Sequence, residues 1–167
     1  MRRAQWWAVF AIGAFADSAN LTNANLYGAT FANTTLRNAN LIDATLTGTN
    51  LTNVYALNIN LTNANLTSAL LDNTNFSGVN TKLTSANFTN AVLTDTLLTN
   101  ADLTGAKLTR ANFHDARLVG AKLAGADLAK ANLNKADVSR ADFSGARLGE
   151  AIRARGVFAS AGGRTRG

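Results

Sequence analysis

The sequence of 167 residues contains no cysteine, no proline and a single histidine. Without cysteine there are no disulfides, no thiol chemistry and no cysteine metal site, so nothing of that kind marks a redox compartment. No Ser/His/Asp set is apparent, no glycine-rich phosphate loop follows a strand, and no metal-ligand cluster is spaced along the chain. Charge is also sparse in the first half: residues 1–80 hold three Arg and three Asp, so the later residues carry the whole excess of six positive charges. These absences point to a noncatalytic protein that needs no cofactor and no metal.

What the sequence does have is a five-residue period. Large apolar residues recur at Leu21, Leu26, Phe31, Leu36, Leu41, Leu46, Leu51, Leu61, Leu66, Leu71 and Phe76. After a gap of seven the series resumes at Leu83, Phe88, Leu93, Leu98, Leu103, Leu108, Phe113, Leu118, Leu123, Leu128, Leu133, Val138, Phe143 and Leu148. A small residue stands two places earlier at Ala19, Ala24, Ala29, Ala39, Ala44, Ala86, Ala91 and every fifth position from Ala101 to Ala151. A period of five fits neither an α-helix nor a heptad coil. It fits a chain that turns a corner after each repeat, with the large residue and the alanine inward and the other three positions outward. Two large inward residues per repeat would overfill a narrow coil, which is why the second must be small.

The pattern A-(N/D)-(L/F)-x-x, as in Ala64-Asn65-Leu66-Thr67-Ser68, Ala101-Asp102-Leu103-Thr104-Gly105 and Ala126-Asp127-Leu128-Ala129-Lys130, resembles the pentapeptide-repeat family over about nine-tenths of the chain. The resemblance implies an all-β fold, a right-handed quadrilateral β-helix in which four repeats make one coil. The 26 repeats, 12 before Thr81 and 14 from Leu83, then make about six to seven coils and a rod of roughly 30 Å at the usual strand spacing. The large residues listed by their period are its expected core.

Two irregularities interrupt the series. Ala56 fills a large slot, which leaves a void unless Leu57 or a neighbouring phenylalanine leans in. The gap between Phe76 and Leu83 holds two extra residues, expected within Asn80-Thr81-Lys82 as a neutral surface bulge.

Aligning the repeats four at a time stacks the outward residues. One row reads Asn20, Asn40, Asn60, Lys82, Asp102, Lys122, Asp142, a second includes Lys107, Asp127, Arg147, and a third sets Arg117 beside Asp137. The alternation predicts cross-coil ion pairs, each worth a few tenths to about 1 kcal/mol. A fourth row, Asp95, Asp115, Lys135, with His114 beside Asp115, reads as a solvated edge, its histidine outward of Phe113.

Some members of the resembled family mimic duplex DNA with an acidic rod, bind DNA gyrase and protect it from quinolones. The alternating, net basic surface here lacks the continuous negative field such mimicry needs. A Thr/Asn-rich solenoid that binds ice or polysaccharide is a second alternative, but Leu57, Asp72, Ile42 and Tyr55 break its rows. Asn-x-Thr sequons arise from the repeat itself and carry little information.

The ends differ from the middle. Residues 1–16 resemble a secretory signal peptide: Met1-Arg2-Arg3 is basic, an apolar stretch broken by Gln5 follows, and Ala14-Phe15-Ala16 offers small residues at the cleavage positions. The stretch is too short to span a bilayer, and the alternative is a hydrophobic capping helix using Trp6, Trp7 and Phe10. Residues 17–151 are assigned to the β-helix, and 152–167 to a basic cap or tail in which Ile152, Val157 and Phe158 fold over and Arg153, Arg155, Arg164 and Arg166 touch anionic surfaces weakly. No aromatics interleave these arginines, so specific nucleic-acid binding is not expected. The sequence thus points to an exported structural or interaction scaffold, in a periplasm or thylakoid lumen, with an unidentified protein partner. Cleavage at Ala16 would leave the first coil without a cap, with Leu21, Leu26, Phe31 and Leu36 beneath an open end through which the processed form is expected to be a homodimer.

Overall fold

The structure, a computed structural model, describes residues 13–152. They form a right-handed quadrilateral β-helix whose rungs pair in parallel, one coil to the next. Each repeat has five slots: a small inward residue, an outward shoulder, a large inward central residue, and two corner residues. Shoulders pair with shoulders, as in Asn20 with Asn40 and Asn40 with Asn60.

The hydrogen bonds explain why five residues suffice. A shoulder amide donates to the small-slot carbonyl of the coil before it (Asn40 N to Ala19 O, 2.9 Å), and the shoulder carbonyl accepts from a central amide of that coil (Leu21 N to Asn40 O, 2.7 Å). The corner closes when the next small-slot amide reaches back to the central carbonyl (Ala24 N to Leu21 O, 3.0 Å). Such a turn holds its second corner residue in the left-handed region: Asn23, Asn53 and Asn63 have φ of 58, 57 and 58°. Asparagine, aspartate and glycine tolerate this conformation best, which accounts for their abundance at that slot in the first half. Arg110, Lys130, Lys135, Arg140 and Glu150 adopt it too, at a cost of order 1–2 kcal/mol each relative to the right-handed form.

Inside, the expected core is buried throughout except for Leu21, which is partly exposed. With the 13–16 rung in place Leu26, Phe31 and Leu36 are buried and Leu21 is partly exposed. Each fully buried Leu or Phe stabilises by about 1.5–3 kcal/mol, so the column as a whole holds the rod. Five small slots hold threonine instead of alanine: Thr34, Thr49, Thr74, Thr81 and Thr96 are buried. The hydroxyls of Thr49, Thr74, Thr81 and Thr96 donate to main-chain carbonyls, as in Thr74 to Leu51 O at 2.6 Å and Thr96 to Leu71 O at 2.9 Å, which removes the penalty of burying them.

The structure places both irregularities. At Ala56 it is not Leu57 that moves in, since Leu57 keeps its half-buried corner position and its carbonyl accepts from Asn38 N. The neighbouring small slots are enlarged: Val54 and Ile59 are buried where alanine is usual, and Phe76 occupies the same column one coil on. The extra residues lie in the loop 77–80, earlier than expected. Thr81 and Lys82 belong to the regular frame: Thr81 is buried in a small slot and Lys82 pairs with Asn60. Gly78 (φ +127°) makes the turn, and Thr81 Oγ1 stitches it by donating to Ser77 O and accepting from Asn58 N.

The rod also begins and ends beyond its expected limits. Residues 13–16, assigned from sequence to the leader, already form a rung: Phe15 pairs with Thr35, and Thr35 N donates to Ala14 O at 3.1 Å. Ile152 pairs with Asn132 as a shoulder, so it is part of the last rung and not of a fold-over cap. The rest of the expected leader and of the tail, including Val157, Phe158 and the tail arginines, lies outside the described residues.

Candidate interaction surface

The bridges sort the outward residues into four faces. Face I carries the shoulders Asn20, Asn40, Asn60, Lys82, Asp102, Lys122 and Asp142, and face II carries Asn25, Thr45, Asn65, Asn87, Lys107, Asp127 and Arg147. Face III runs from Thr30 through Leu70, Val92 and Asn112 to Ile152, and face IV from Phe15 through Thr35, Tyr55, Asn75, Leu97 and Arg117 to Asp137. The charge rows therefore align one coil apart, as their spacing implied.

They do not close into ion pairs. Among the described residues the only ion pairs within 4.0 Å are His114 with Asp115 (2.7 Å), Lys130 with Glu150 (3.6 Å) and Lys135 with Asp115 (3.9 Å), and none belongs to the three ladders. The ladder carboxylates turn to their own corners instead. Asp102 accepts from Thr104 N at 3.0 Å and Asp127 from Ala129 N at 3.1 Å, while Asp142 takes both the amide and the hydroxyl of Ser144. Asparagine shoulders do the same, as in Asn65 with Thr67. A shoulder carboxylate satisfying a nearby amide gains more than one reaching a solvated lysine a coil away. The cross-coil pairs that do form, Lys130–Glu150 and Lys135–Asp115, use second-corner residues.

These local bonds shift two acids. The Ser139 hydroxyl and amide hold the Asp137 carboxyl below its ordinary range, with Arg117 contributing, and Ser144 does the same for Asp142. A depressed folded pKa stabilises above the unfolded value, and that stability is lost as pH falls through the folded one. Acidification through about pH 4 should thus lower the melting temperature. The combined Ser139→Ala and Ser144→Ala changes should make that acid loss shallower, by a small amount because both carboxylates are substantially solvated. Equal acid slopes in both proteins would contradict the assignment.

Asp95, Asp115 and Lys135 do form one corner column, with the partly exposed His114 donating from Nδ1 to Asp115 Oδ2 at 2.7 Å. No group of three His, Cys, Asp or Glu side chains able to hold a metal occurs among the described residues.

The feature that sequence reading passed over is apolar. Tyr55 and Leu97 are exposed on face IV with Asn75 between them, Leu70 is exposed on face III beside half-buried Val92, and Val79 is exposed in the loop 77–80. Val79 stands in the loop at 75% exposure, and the Arg37 guanidinium lies 4.6 Å over the Tyr55 ring. The sequence held a signal for this band, since these residues interrupt polar rows at nearby coils, but each looked like an isolated break.

The repeat itself decides the family. The pentapeptide-repeat description matches in 8 copies, over residues 17–55, 59–80, 79–115 and 111–149. The chain is a pentapeptide repeat protein. Among solved structures it is similar to HetL, a pentapeptide repeat protein involved in heterocyst differentiation regulation from the cyanobacterium Nostoc sp. strain PCC 7120. The two share 34% identity over 92% of this chain and 68% of that one, with a TM-score of 0.55. It is also similar to Rfr23 from the cyanobacterium Cyanothece 51142 (21% identity, 87% and 88% coverage, TM-score 0.38). QnrB1, a plasmid-mediated fluoroquinolone resistance protein, matches at 16% identity over 98% of this chain and 87% of that one, with a TM-score of 0.48. No curated protein matches the sequence. Proteins of this repeat family are generally non-enzymatic structural or interaction scaffolds.

Proposed function

We propose that this protein is a noncatalytic scaffold, exported to a periplasm or thylakoid lumen, that holds another protein against the side of its rod. The observation that carries the reading is the exposure of Tyr55, Leu70, Val79 and Leu97 on neighbouring coils of faces III and IV and the loop between, on a surface otherwise built of Asn, Thr and mixed charges. Clustered exposed apolar side chains on a soluble surface mark interaction sites. A rod whose coils are tied by several backbone bonds per repeat presents such a band without reorganising, which lowers the ordering cost of binding.

Leu97→Lys and Tyr55→Ser together should abolish co-purification of the partner from the extracytoplasmic fraction while leaving the melting temperature close to wild type. Unchanged co-purification by the folded variant would contradict the site. Export has its own readout: N-terminal sequencing of protein from its native cell should begin at Asp17 or a near neighbour. An intact Met1 in a cytoplasmic fraction would reject export in favour of a retained N-terminal cap. Because ladder charges alternate in sign along faces I and II, the protein should not inhibit gyrase supercoiling, and it should not reshape growing ice crystals at micromolar concentration.

A further inference from the structure

Two side-chain columns meet where face IV turns into face I. The face carries the shoulders Tyr55, Asn75, Leu97 and Arg117 on successive coils. The corner beside it carries Arg37, Leu57, Thr99 and Val119, whose carbonyls accept in turn from the amides of Ser18, Asn38, Gly78 and Asn100. Tyr55 and Leu97 are exposed, one coil to either side of half-buried Asn75, and Leu57 and Val119 are half-buried along the corner. Leu70 and Val92 lie beyond the opposite corner, which carries Asp72 and Thr94, so this strip is a surface of its own.

The strip is apolar in the middle and cationic at both ends. Over its middle, Asn75 Oδ1 accepts from Ser77 N at 3.0 Å, and Asn75 Nδ2 has no partner among the described residues. At one end the Arg37 guanidinium lies 4.6 Å over the Tyr55 ring, and at the other Arg117 follows Leu97 one coil on. Neither arginine makes an ion pair within 4.0 Å among the described residues. The carboxylates stacked beside them have other bonds: Asp17 accepts from the Arg37 amide at 2.8 Å, and Asp137 from the Ser139 amide and hydroxyl at 3.0 and 2.6 Å.

The backbone decides what kind of segment can lie here. The N–H and C=O of Tyr55 are engaged with Thr34 O and Leu36 N, those of Asn75 with Val54 O and Ala56 N, and those of Leu97 with Thr74 O and Phe76 N. All of these bonds run along the rod, so its side offers no free strand edge and a partner cannot add a strand there. An amphipathic helix satisfies its own backbone and can lie on such a side-chain surface through anchors at i, i+3, i+4 and i+7. The lengths agree, since Tyr55 and Leu97 stand two coils apart, roughly 10 Å at strand spacing, and seven residues of helix rise about 10.5 Å. Arg117 lies one coil further, so a helix of roughly ten residues reaches from the Arg37 guanidinium to Arg117.

We propose that this strip binds an acid-flanked amphipathic helix of another protein, whose apolar stripe seats between Tyr55 and Leu97 over Asn75 and whose carboxylates at the two ends of the stripe pair with Arg37 and Arg117. It rests on the side-face scaffold read above. A basic helix would meet like charge at both ends, whereas a carboxylate gains a charge-assisted hydrogen bond from each guanidinium.

The probes are two labelled synthetic peptides, alanine-based helices with the same leucine stripe, one with glutamate and the other with lysine at both ends of the stripe. Fluorescence anisotropy reads their binding to the full chain at low salt. The glutamate peptide should bind roughly tenfold more tightly than the lysine peptide, the size of effect two exposed ion pairs supply, and added salt should shrink the difference. Arg37→Glu with Arg117→Glu should reverse the preference. Tyr55→Asn with Leu97→Asn, which puts a residue usual at shoulders in both positions, should abolish binding of the glutamate peptide at an unchanged melting temperature. Equal binding of the two peptides, a preference untouched by the arginine changes, or binding retained after the asparagine changes would each overturn the proposal. So would no binding of the glutamate peptide while Leu97→Lys with Tyr55→Ser still abolishes partner co-purification, and the side-face reading would then stand. Unchanged co-purification by that variant would reject the side-face reading, and this proposal with it.

Discussion

Replacing Phe113 by alanine should destabilise the rod by about 3–5 kcal/mol, the usual cost of deleting a fully buried aromatic side chain. Phe113 is completely buried, and its rung is held on both sides, by Asn112 N to Ala91 O at 2.9 Å and by Phe113 N to Asn132 O at 2.7 Å. Neighbouring coils held at strand spacing cannot collapse into the void, so the cost should lie toward the upper end of the range. Each coil of a solenoid touches only its neighbours, so the loss should also appear as uncoupled melting of the two halves. Denaturant titration followed by circular dichroism measures both. A loss under about 1 kcal/mol would mean that the aromatic column is not what holds the coils.

The second large effect lies at the exception in the core. Ala56→Leu restores the family residue to its slot, yet it should destabilise by about 1–3 kcal/mol, because Ala56 is fully buried between small slots that hold the larger Val54 and Ile59. Val54→Ala alone should also destabilise, by leaving a cavity. The double change exchanges large and small and should recover most of both losses, giving a coupling energy of roughly 1–3 kcal/mol in a double-mutant cycle. Additive losses would show that the pair does not compensate and that the void is filled from elsewhere.

The pair also shows what kind of information the sequence carries openly. A period of five announced which side chains turn inward, and every large residue so assigned is buried but Leu21, which sits in the first coil. Period says nothing of volume shared between slots, so the small residue at Ala56 has to be read together with the larger-than-usual Val54 and Ile59 in the small slots on either side. Residue type alone does not tell an inward threonine from a corner one: Thr49, Thr74 and Thr96 follow the frame inward and are tolerated because their hydroxyls donate to main-chain carbonyls.

The candidate surface was legible in its rows and not in its bonds. Lys82, Asp102, Lys122 and Asp142 do stack, but which partner a carboxylate takes depends on the distance to its own corner amide, and Ser144 wins over Lys122 for Asp142. The apolar band escaped notice for a similar reason. Tyr55, Leu70, Val79 and Leu97 are separated in sequence by 15, 9 and 18 residues, and only the coil spacing, with the loop at 77–80, gathers them around one region of the rod. The rung at 13–16 was hidden because Ala16 occupies a central slot where the period expects leucine.

The central claim is that one four-sided ladder runs through the whole described chain and keeps its register across the loop. Nuclear Overhauser contacts between backbone protons test it most directly. They should link Asn40 with Asn60 and Lys82 with Asp102, twenty residues apart, but Asn60 with Lys82 and Leu70 with Val92, twenty-two apart across the loop. Contacts of Asn60 with Asn80, or contacts dominated by separations of three and four residues, would contradict the coil.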